Sequence, residues 1–557
     1  MNKAVVAEIF NLLAEYGVNA IVCSPGSRNA ALLLEAEKHE SIKKYVVVDE
    51  RSAAFMGLGM AMASRCPVAL ICTSGTALLN YGPAVAEAYY QGIPLIVISA
   101  DRPLEWIDQD DSQTIRQTGP LDNFIKGCYD LNGDIYSENE LWYANRLINE
   151  GLQNCLSEKR GPIQFNIHLD GKINNDSEKS GCSRIIKTIM PTQQIPISEI
   201  KNLAEYASDL KIMVTVGFMP PNHKLQKAFS VLCSLPNVVV MAETLSNLHL
   251  PQECYVIDKV LFPLDDKTSK YLQPDIVISI GGALISRKLK EYLRNCKVKD
   301  HWHIGYSNNI IDCFKSLTLR IEADPSYFLK AFGNLVKKIQ SVRKISSSYK
   351  AEWNVLKQQC KGNFKNIGWS DLKAMNMILN RLPVETNLFL SNGTVVRYGQ
   401  IIPYKVTHGT YSNRGVSGIE GSTSTAIGGS LEYDKLTCLI TGDMSFLYDI
   451  GVLTSGMAPN RLSIIIMDNG GGDIFRFIDS TKDLKIREKY LCAEREIPVS
   501  TLAEAFGFEY WRADSESELK QILRNFFKKE ESPKILHVTT KASRNNASIL
   551  RKFLNNR

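Results

Sequence analysis

No stretch of the 557 residues approaches the ~18 consecutive apolar residues that a membrane-crossing helix needs; runs such as 464–467 are strand-sized, so no integral membrane segment is expected. The chain opens without a charged-then-apolar signal layout, since Met1-Asn2-Lys3 leads straight to Glu8. None of the thirteen cysteines, scattered from Cys23 to Cys492, forms a CxxC pair. Zinc and iron–sulfur sites need clustered ligands, so neither is expected. An odd, unpatterned set beside apolar neighbours, as in Val22-Cys23 and Ile71-Cys72, suits reduced, buried thiols of a cytoplasmic protein. Charge of one sign is also scarce. The net charge is +6, and the last seventeen residues supply five of it through Lys541, Arg544, Arg551, Lys552 and Arg557. The body is almost neutral, which argues against a nucleic-acid partner, and the tail reads as a solvated helix. No GxGxxG follows an N-terminal strand, so the dinucleotide fingerprint is missing. The one close histidine pair, His301-Trp302-His303, has no third ligand nearby in sequence and is expected to be structural.

What is present is an ordinary globular composition, 44% hydrophobic and 22% charged, on a chain long enough for about three or four domains. Residues 3–16 have helical spacing in Val6, Ile9, Phe10 and Leu13. Short apolar runs at 20–23, 45–48, 68–72 and 95–99 alternate with turns and helical stretches and close near 161–167. This is the βαβ pattern of a parallel sheet with helices on both faces. Polar residues 172–196 read as a linker. The pattern returns at 212–217, 238–241, 276–280 and 303–305, and charged, Ser-rich, helix-prone residues 341–366 read as a second linker. It returns again at 388–390, 437–441, 462–467 and 534–538. The expected fold class is α/β, with three doubly wound parallel-sheet domains.

The most specific pattern lies in the third segment. A strand ending at Ile440-Thr441 meets Gly442-Asp443-Met444-Ser445, and the next strand ends at Asp468-Asn469-Gly470-Gly471-Gly472-Asp473. Both turns fall at the carboxyl ends of strands, where open α/β sheets bind ligands. Asp443 and Asn469 offer hard oxygen ligands, and the glycines let a carbonyl such as that of Gly471 approach a cation. Two side chains, a carbonyl and a diphosphate suit Mg²⁺. In the first segment Glu50 follows Val46-Val47-Val48-Asp49 and opens a small-residue helix. Alone it reads as a helix N-terminal acid favoured by the dipole. Beside a metal motif it reads as a catalytic carboxylate.

The two third-segment turns resemble the cofactor motif of thiamine-diphosphate-dependent enzymes, with Met444 in place of a glycine and Asp468 in place of an asparagine. SPGSRN at 24–29, Ala100-Asp101-Arg102-Pro103, SQTIRQ at 112–117, SNRGVSGIEG at 412–421 and GDMSFLYD at 442–449 are similar to the branch of that family that acts in menaquinone synthesis. The resemblance implies a pyrimidine-binding domain over 1–180, a central Rossmann-like domain over 190–340 and a diphosphate-binding domain over 365–557. It implies decarboxylation of 2-oxoglutarate and 1,4-addition of the resulting carbanion to isochorismate, with thiamine diphosphate and Mg²⁺ or Mn²⁺ as cofactors. Asp443, Asn469 and the Gly471 carbonyl are the implied metal set. Gly442, Asp443, Met444, Ser445, Ile419, Glu420, Asn469, Gly472, Ile474 and Phe475 are implied to line the cofactor, Ile419 propping its bent shape and the last two forming an apolar wall. Glu50, Ser27 and Gln113 are the implied catalytic and polar contacts. Arg28, Arg102, Arg287, Lys288, Arg397 and Arg414 are implied to bind substrate carboxylates, a task to which the guanidinium fork is suited. Two further departures stand out: Gly393 replaces a serine, and Arg287-Lys288 inverts the usual order. The resemblance also implies a homodimer or homotetramer with the site at the subunit interface. Two rival readings remain: a relative acting on pyruvate, which has no need of the SPGSR and SNRG arginines, and a non-catalytic nucleotide-binding module.

Overall fold

Short β-branched runs bounded by glycine turns become the strands of three parallel sheets. The computed structural model describes residues 4–171, 183–189, 194–307, 309–360, 364–404, 408–528, 531–541 and 545–555. Most of the first linker segment, and Arg544 and Arg557 of the basic tail, lie outside the described residues.

The first sheet holds β1 (Ala20–Cys23), β2 (Lys43–Val46), β3 (Val68–Cys72), β4 (Leu95–Asp101), β5 (Cys128–Asn132) and β6 (Ile163–His168). The second holds β7 (Ile212–Val216), β8 (Val238–Ala242), β9 (Ile276–Ile280), β10 (Asp300–Ile304) and β11 (Leu319–Ile321). The third holds β12 (Asn387–Leu390), β13 (Gly409–Tyr411), β14 (Thr437–Gly442), β15 (Leu462–Asp468), β16 (Glu509–Ala513) and β17 (Lys534–Thr539). The strand orders are β2-β1-β3-β4-β6-β5, β11-β10-β9-β7-β8 and β13-β12-β14-β15-β17-β16. The first and third orders are the same pattern. Each sheet reverses direction beside its first strand, and the crevice at the carboxyl end of that reversal is where doubly wound sheets bind ligands. In the first sheet the crevice carries Ser24–Ser27 and Thr73–Gly75; in the third it carries Asn392–Thr394 and Gly442–Asp443.

The first and third domains share one hydrophobic core, built around the helix Glu50–Ser64 and the helix Ser422–Leu431. Their crossing is backbone against backbone. A Cβ on Gly59 would stand 1.9 Å from the Thr425 carbonyl, and one on Gly428 1.9 Å from the Met56 carbonyl. Small residues make this approach possible, and most residues of both helices are buried.

Two expectations change. The helix-prone stretch 341–366 does form a helix, Tyr349–Gln359, but it is no free linker: Tyr349 and Trp353 are buried in the middle domain. Trp353 meets Tyr292 edge to face at 6.0 Å between ring centroids. Spaced four apart, the two rings share one helix face, and the surrounding charges conceal it. The tail helix Asn546–Asn555 is solvated on one side only: Leu550, Phe553 and Leu554 pack into the third core. The histidine pair is structural: Ser279 Oγ lies 2.8 Å from His301 Nε2 and 3.0 Å from His303 Nδ1. Among the described residues, no helix is long and apolar enough to cross a membrane.

Candidate active site

β14 ends at Gly442, and Asp443 begins the short helix that follows. Its carboxylate bridges two turns, accepting from Met444 N at 2.8 Å and from Gly471 N at 2.6 Å. Gly470 and Gly471 have φ of +86° and +119°, and a Cβ on Gly471 would meet the Cys492 carbonyl at 2.3 Å. Only glycine fits there. Asn469 donates Nδ2 to Asp371 Oδ2 at 2.7 Å, which leaves its buried Oδ1 without a donor. Burial, helped by the neighbouring Asp468 charge, pushes the Asp443 carboxyl up to about 7. Burial likewise pushes Asp371 up to about 6. Two buried carboxyls beside a free amide oxygen and a glycine-lined turn are a donor set for a hard divalent cation.

Asp468, which replaces an asparagine of the family motif, is neutralised locally. Burial raises its pKa, but contacts from His537 Nε2 at 2.9 Å and Lys541 Nζ at 3.1 Å outweigh that and hold it below the usual carboxylate range. Ser445 ties the 412–421 and 442–449 segments together by donating to the Ile419 carbonyl at 2.5 Å. Ile419 is exposed, while Met444, Gly472, Ile474, Phe475 and Glu420 are half-buried around the same turns. Arg551 Nη2 of the tail helix donates to the carbonyls of Arg476 and Phe477 at 3.1 and 2.6 Å, capping the short helix that carries Ile474 and Phe475.

The basic residues fall into two groups. At the seam of the middle and third domains stand Arg287, Lys288, Arg397 and Arg414. Arg397 lies on the helix Thr394–Ile401, entered through Gly393 at φ +101°, a backbone state that favours glycine. Arg414 donates Nη1 to Asn392 Oδ1 at 3.0 Å, and Asn392 is itself fixed to the carbonyls of Asn413 and Gly418. Burial first, then the Arg414 charge, lowers the Arg397 pKa. The Nε of each of these two arginines is buried without an acceptor. Two carboxylates that the sequence did not flag lie among them. Glu243 follows β8 and Asp258 opens the helix Asp258–Leu261; Glu243 is fully buried and Asp258 half-buried, and burial pushes Glu243 up to about 7 and raises Asp258. Glu87 of the first domain accepts from Gly415 N and Val416 N at 2.5 and 2.7 Å, pinning the SNRG loop across the domain boundary. Acids following apolar strands, as Glu243 does, are the only local signal that could have pointed here.

The second group sits on the first domain. Arg28 donates to the Leu169 carbonyl at 3.1 Å, and Arg102 pairs with Asp111 at 3.1 Å. Arg28 feels the Arg102 charge, although burial is the larger cause of its lowered pKa. Ser27 and Gln113 are exposed, and Gln113 has φ +55° above the Gly75 turn. Glu50 is half-buried at the start of its helix, behind the cap Asp49, and accepts from Asn80 Nδ2 at 3.2 Å. Val46 and Val48 beside it are 55% and 72% exposed. Within one chain no described hydrogen bond or ion pair joins Glu50, Ser27, Arg28, Arg102 or Gln113 to the third-domain turns.

Three family models cover the chain in order: "Thiamine pyrophosphate enzyme, N-terminal TPP binding domain" over residues 4–119, "Middle domain of thiamine pyrophosphate" over 197–390, and "Thiamine pyrophosphate enzyme, C-terminal TPP binding domain" over 392–538. The fold and site thus define a thiamine-pyrophosphate enzyme. The 2-succinyl-5-enolpyruvyl-6-hydroxy-3-cyclohexene-1-carboxylate synthase of Porphyromonas gingivalis is 40% identical over 561 residues, spanning 99% of this chain and 97% of the relative. Synthases of the same name from Christiangramia forsetii and Bacteroides thetaiotaomicron are 35% and 32% identical, each spanning 99% of this chain and 98% of the relative. The chain belongs to the 2-succinyl-5-enolpyruvyl-6-hydroxy-3-cyclohexene-1-carboxylate synthase family.

Proposed function

We propose that this chain is a thiamine-diphosphate-dependent transferase that joins a 2-oxoglutarate-derived succinyl-semialdehyde unit to isochorismate, releasing CO₂ and giving the product for which its family is named, in menaquinone synthesis. The observation that carries the substrate class is the pair Arg397 and Arg414. Two neighbouring half-buried guanidiniums, each with a buried Nε–H lacking an acceptor, call for an anion, and a carboxylate matches their fork. The separate Arg28–Arg102 group gives a second anion site, as two dicarboxylate substrates require. A pyruvate-specific relative has no use for either.

Asp443, Asn469 Oδ1 and the Gly471 carbonyl would hold Mg²⁺ or Mn²⁺ against the diphosphate; the free Oδ1 and the raised Asp443 carboxyl support that fit. Thiamine diphosphate, when bound, supplies the electron sink that 2-oxo-acid decarboxylation needs. The chain's own residues do the rest. Glu50 holds and moves a proton at its carboxylate, oriented by Asn80. The arginines bind and align the two acids. Ile419, Ile474 and Phe475 exclude water from the reacting centre. Ser27 and Gln113 contribute polar contacts from the first domain. The exposed valines flanking Glu50 favour a homodimer or a homotetramer, in which a second copy covers that face and completes the site. The cytoplasm suits the described cysteines, which stand as free thiols.

The test is CO₂ release from 2-oxoglutarate with thiamine diphosphate and Mg²⁺, with and without isochorismate. Isochorismate-dependent product that falls by about 10²–10⁴ in Glu50→Gln supports the assignment. Turnover of pyruvate in place of 2-oxoglutarate moves the chain to another branch of the family.

A further inference from the structure

Ser286 is the N-cap of the helix Arg287–Asn295, so its turn decides where Arg287 and Lys288 point. Two acids, Glu243 fully buried and Asp258 half-buried, hold that turn. Glu243 accepts from Ile285 N through Oε2 and from Ser286 N through Oε1, both at 2.8 Å. Asp258 accepts from Ser286 Oγ, and that same Oγ caps Leu289 N at 3.0 Å. Glu243 lies fully buried at the end of β8. It makes no ion pair with Arg414, so its direct bonds go to backbone amides, and Arg414 feels its charge from farther off.

We infer that Glu243 is a positioning residue, which acts through the Ser286 turn to aim Arg287 and Lys288 at a substrate carboxylate; this rests on the dicarboxylate reading given above. A turn that needed only satisfied amides could use a neutral acceptor. Keeping a carboxylate there is costly, since burial drives it up to about 7 even with two amides pulling it down. Retained charge at such a place is a mark of function. Asp258 extends the same arrangement toward Arg397 and Lys288, whose charges it feels. The middle domain thus does more than space the other two: it sets one wall of the anion site.

The test uses holoenzyme with thiamine diphosphate and Mg²⁺ in a Glu50→Gln background, so that no turnover intrudes. Calorimetry measures the affinities for 2-oxoglutarate and for isochorismate. Adding Glu243→Gln is expected to weaken at least one acid about tenfold, the scale of one charge-assisted hydrogen bond. Glu243→Asp should recover part of the loss, and thiamine diphosphate affinity should stay within about twofold, unlike a general loss of structure. In a background that also carries Arg287→Ala and Lys288→Ala, Glu243→Gln should add little, because its route to the substrate is already gone. Unchanged affinity for both acids, or an equal loss with and without Arg287 and Lys288, overturns the inference. Should Glu243→Gln not fold, Ser286→Ala probes the same turn and is judged by the same cycle. Wild-type turnover of pyruvate in place of 2-oxoglutarate would refute the reaction reading alone and leave the binding cycle to decide this one. Binding of neither acid refutes both.

Discussion

Asp371 holds Asn469 by its amide nitrogen: Nδ2 donates to Asp371 Oδ2 at 2.7 Å, and the buried Oδ1 is left as the free acceptor of the turn. Asp371 is itself fixed by Thr540 Oγ1 and by its place at the start of the helix Asp371–Leu379, whose N-cap is Ser370. The acid therefore decides which end of Asn469 is presented to a cation.

Removing that control should loosen the proposed cation site without touching the arginine groups proposed to bind substrate. Asp371→Asn can present either an oxygen or a nitrogen to Asn469, so the orientation of Oδ1 is no longer enforced. The expected result is a roughly 10–100-fold loss of Mg²⁺ affinity, the usual size for a residue supporting a ligand. Titrating Mg²⁺ at fixed thiamine diphosphate measures it. Unchanged Mg²⁺ affinity would mean that the amide is oriented by something else.

The two glycine turns of the third domain were legible in sequence because they are local. Gly442-Asp443 and Asn469–Gly471 directly follow the strands that place them, and it is the pair of turns together, not either alone, that marks a site. The three βα segments were legible for the same reason. The acids among the arginines were not. Glu243, Asp258 and Glu87 meet Arg397 and Arg414 only after three segments, separated by hundreds of residues, have packed. The helical tendency of the charged stretch 341–366 was legible, but its docking on the middle domain was not, because among its described residues only Tyr349 and Trp353 are buried rings. Polar partners of distant origin leave no periodicity to read.

Asp449 offers a test of stability that is independent of catalysis. It is fully buried and accepts from Ser424 N at 2.6 Å and Ser424 Oγ at 2.8 Å, and burial pushes it up to about 7. A carboxyl whose pKa is higher folded than unfolded binds its proton more tightly in the native state. Its contribution to stability therefore falls as pH rises from about 4 to about 7, then levels off, with a total on the order of a few kcal/mol. Asp449→Asn keeps the shape and can satisfy Ser424, whose hydroxyl can turn to accept. The melting temperature of the variant relative to wild type should rise between pH 5 and pH 8. A constant difference across that range would show that Asp449 does not titrate there.

The separation of Glu50 from Asp443 has a consequence for mixed assemblies. No described contact within a chain joins the two groups, and apolar Val46 and Val48 lie exposed beside Glu50. If a second copy supplies the cofactor turns to Glu50, each active site draws one group from each subunit. Glu50→Gln and Asp443→Asn are then both inactive alone. In a mixed dimer, one site collects both defects and the other collects neither. Random reassortment makes half of the dimers mixed, each with one intact site of two, so about a quarter of wild-type activity should return. Unfolding and refolding the two variants together, or co-expressing them with different tags, provides the measurement. Were both groups to come from one chain, every site would keep a defect and mixing would restore nothing, which makes this experiment a direct reading of where the active site lies.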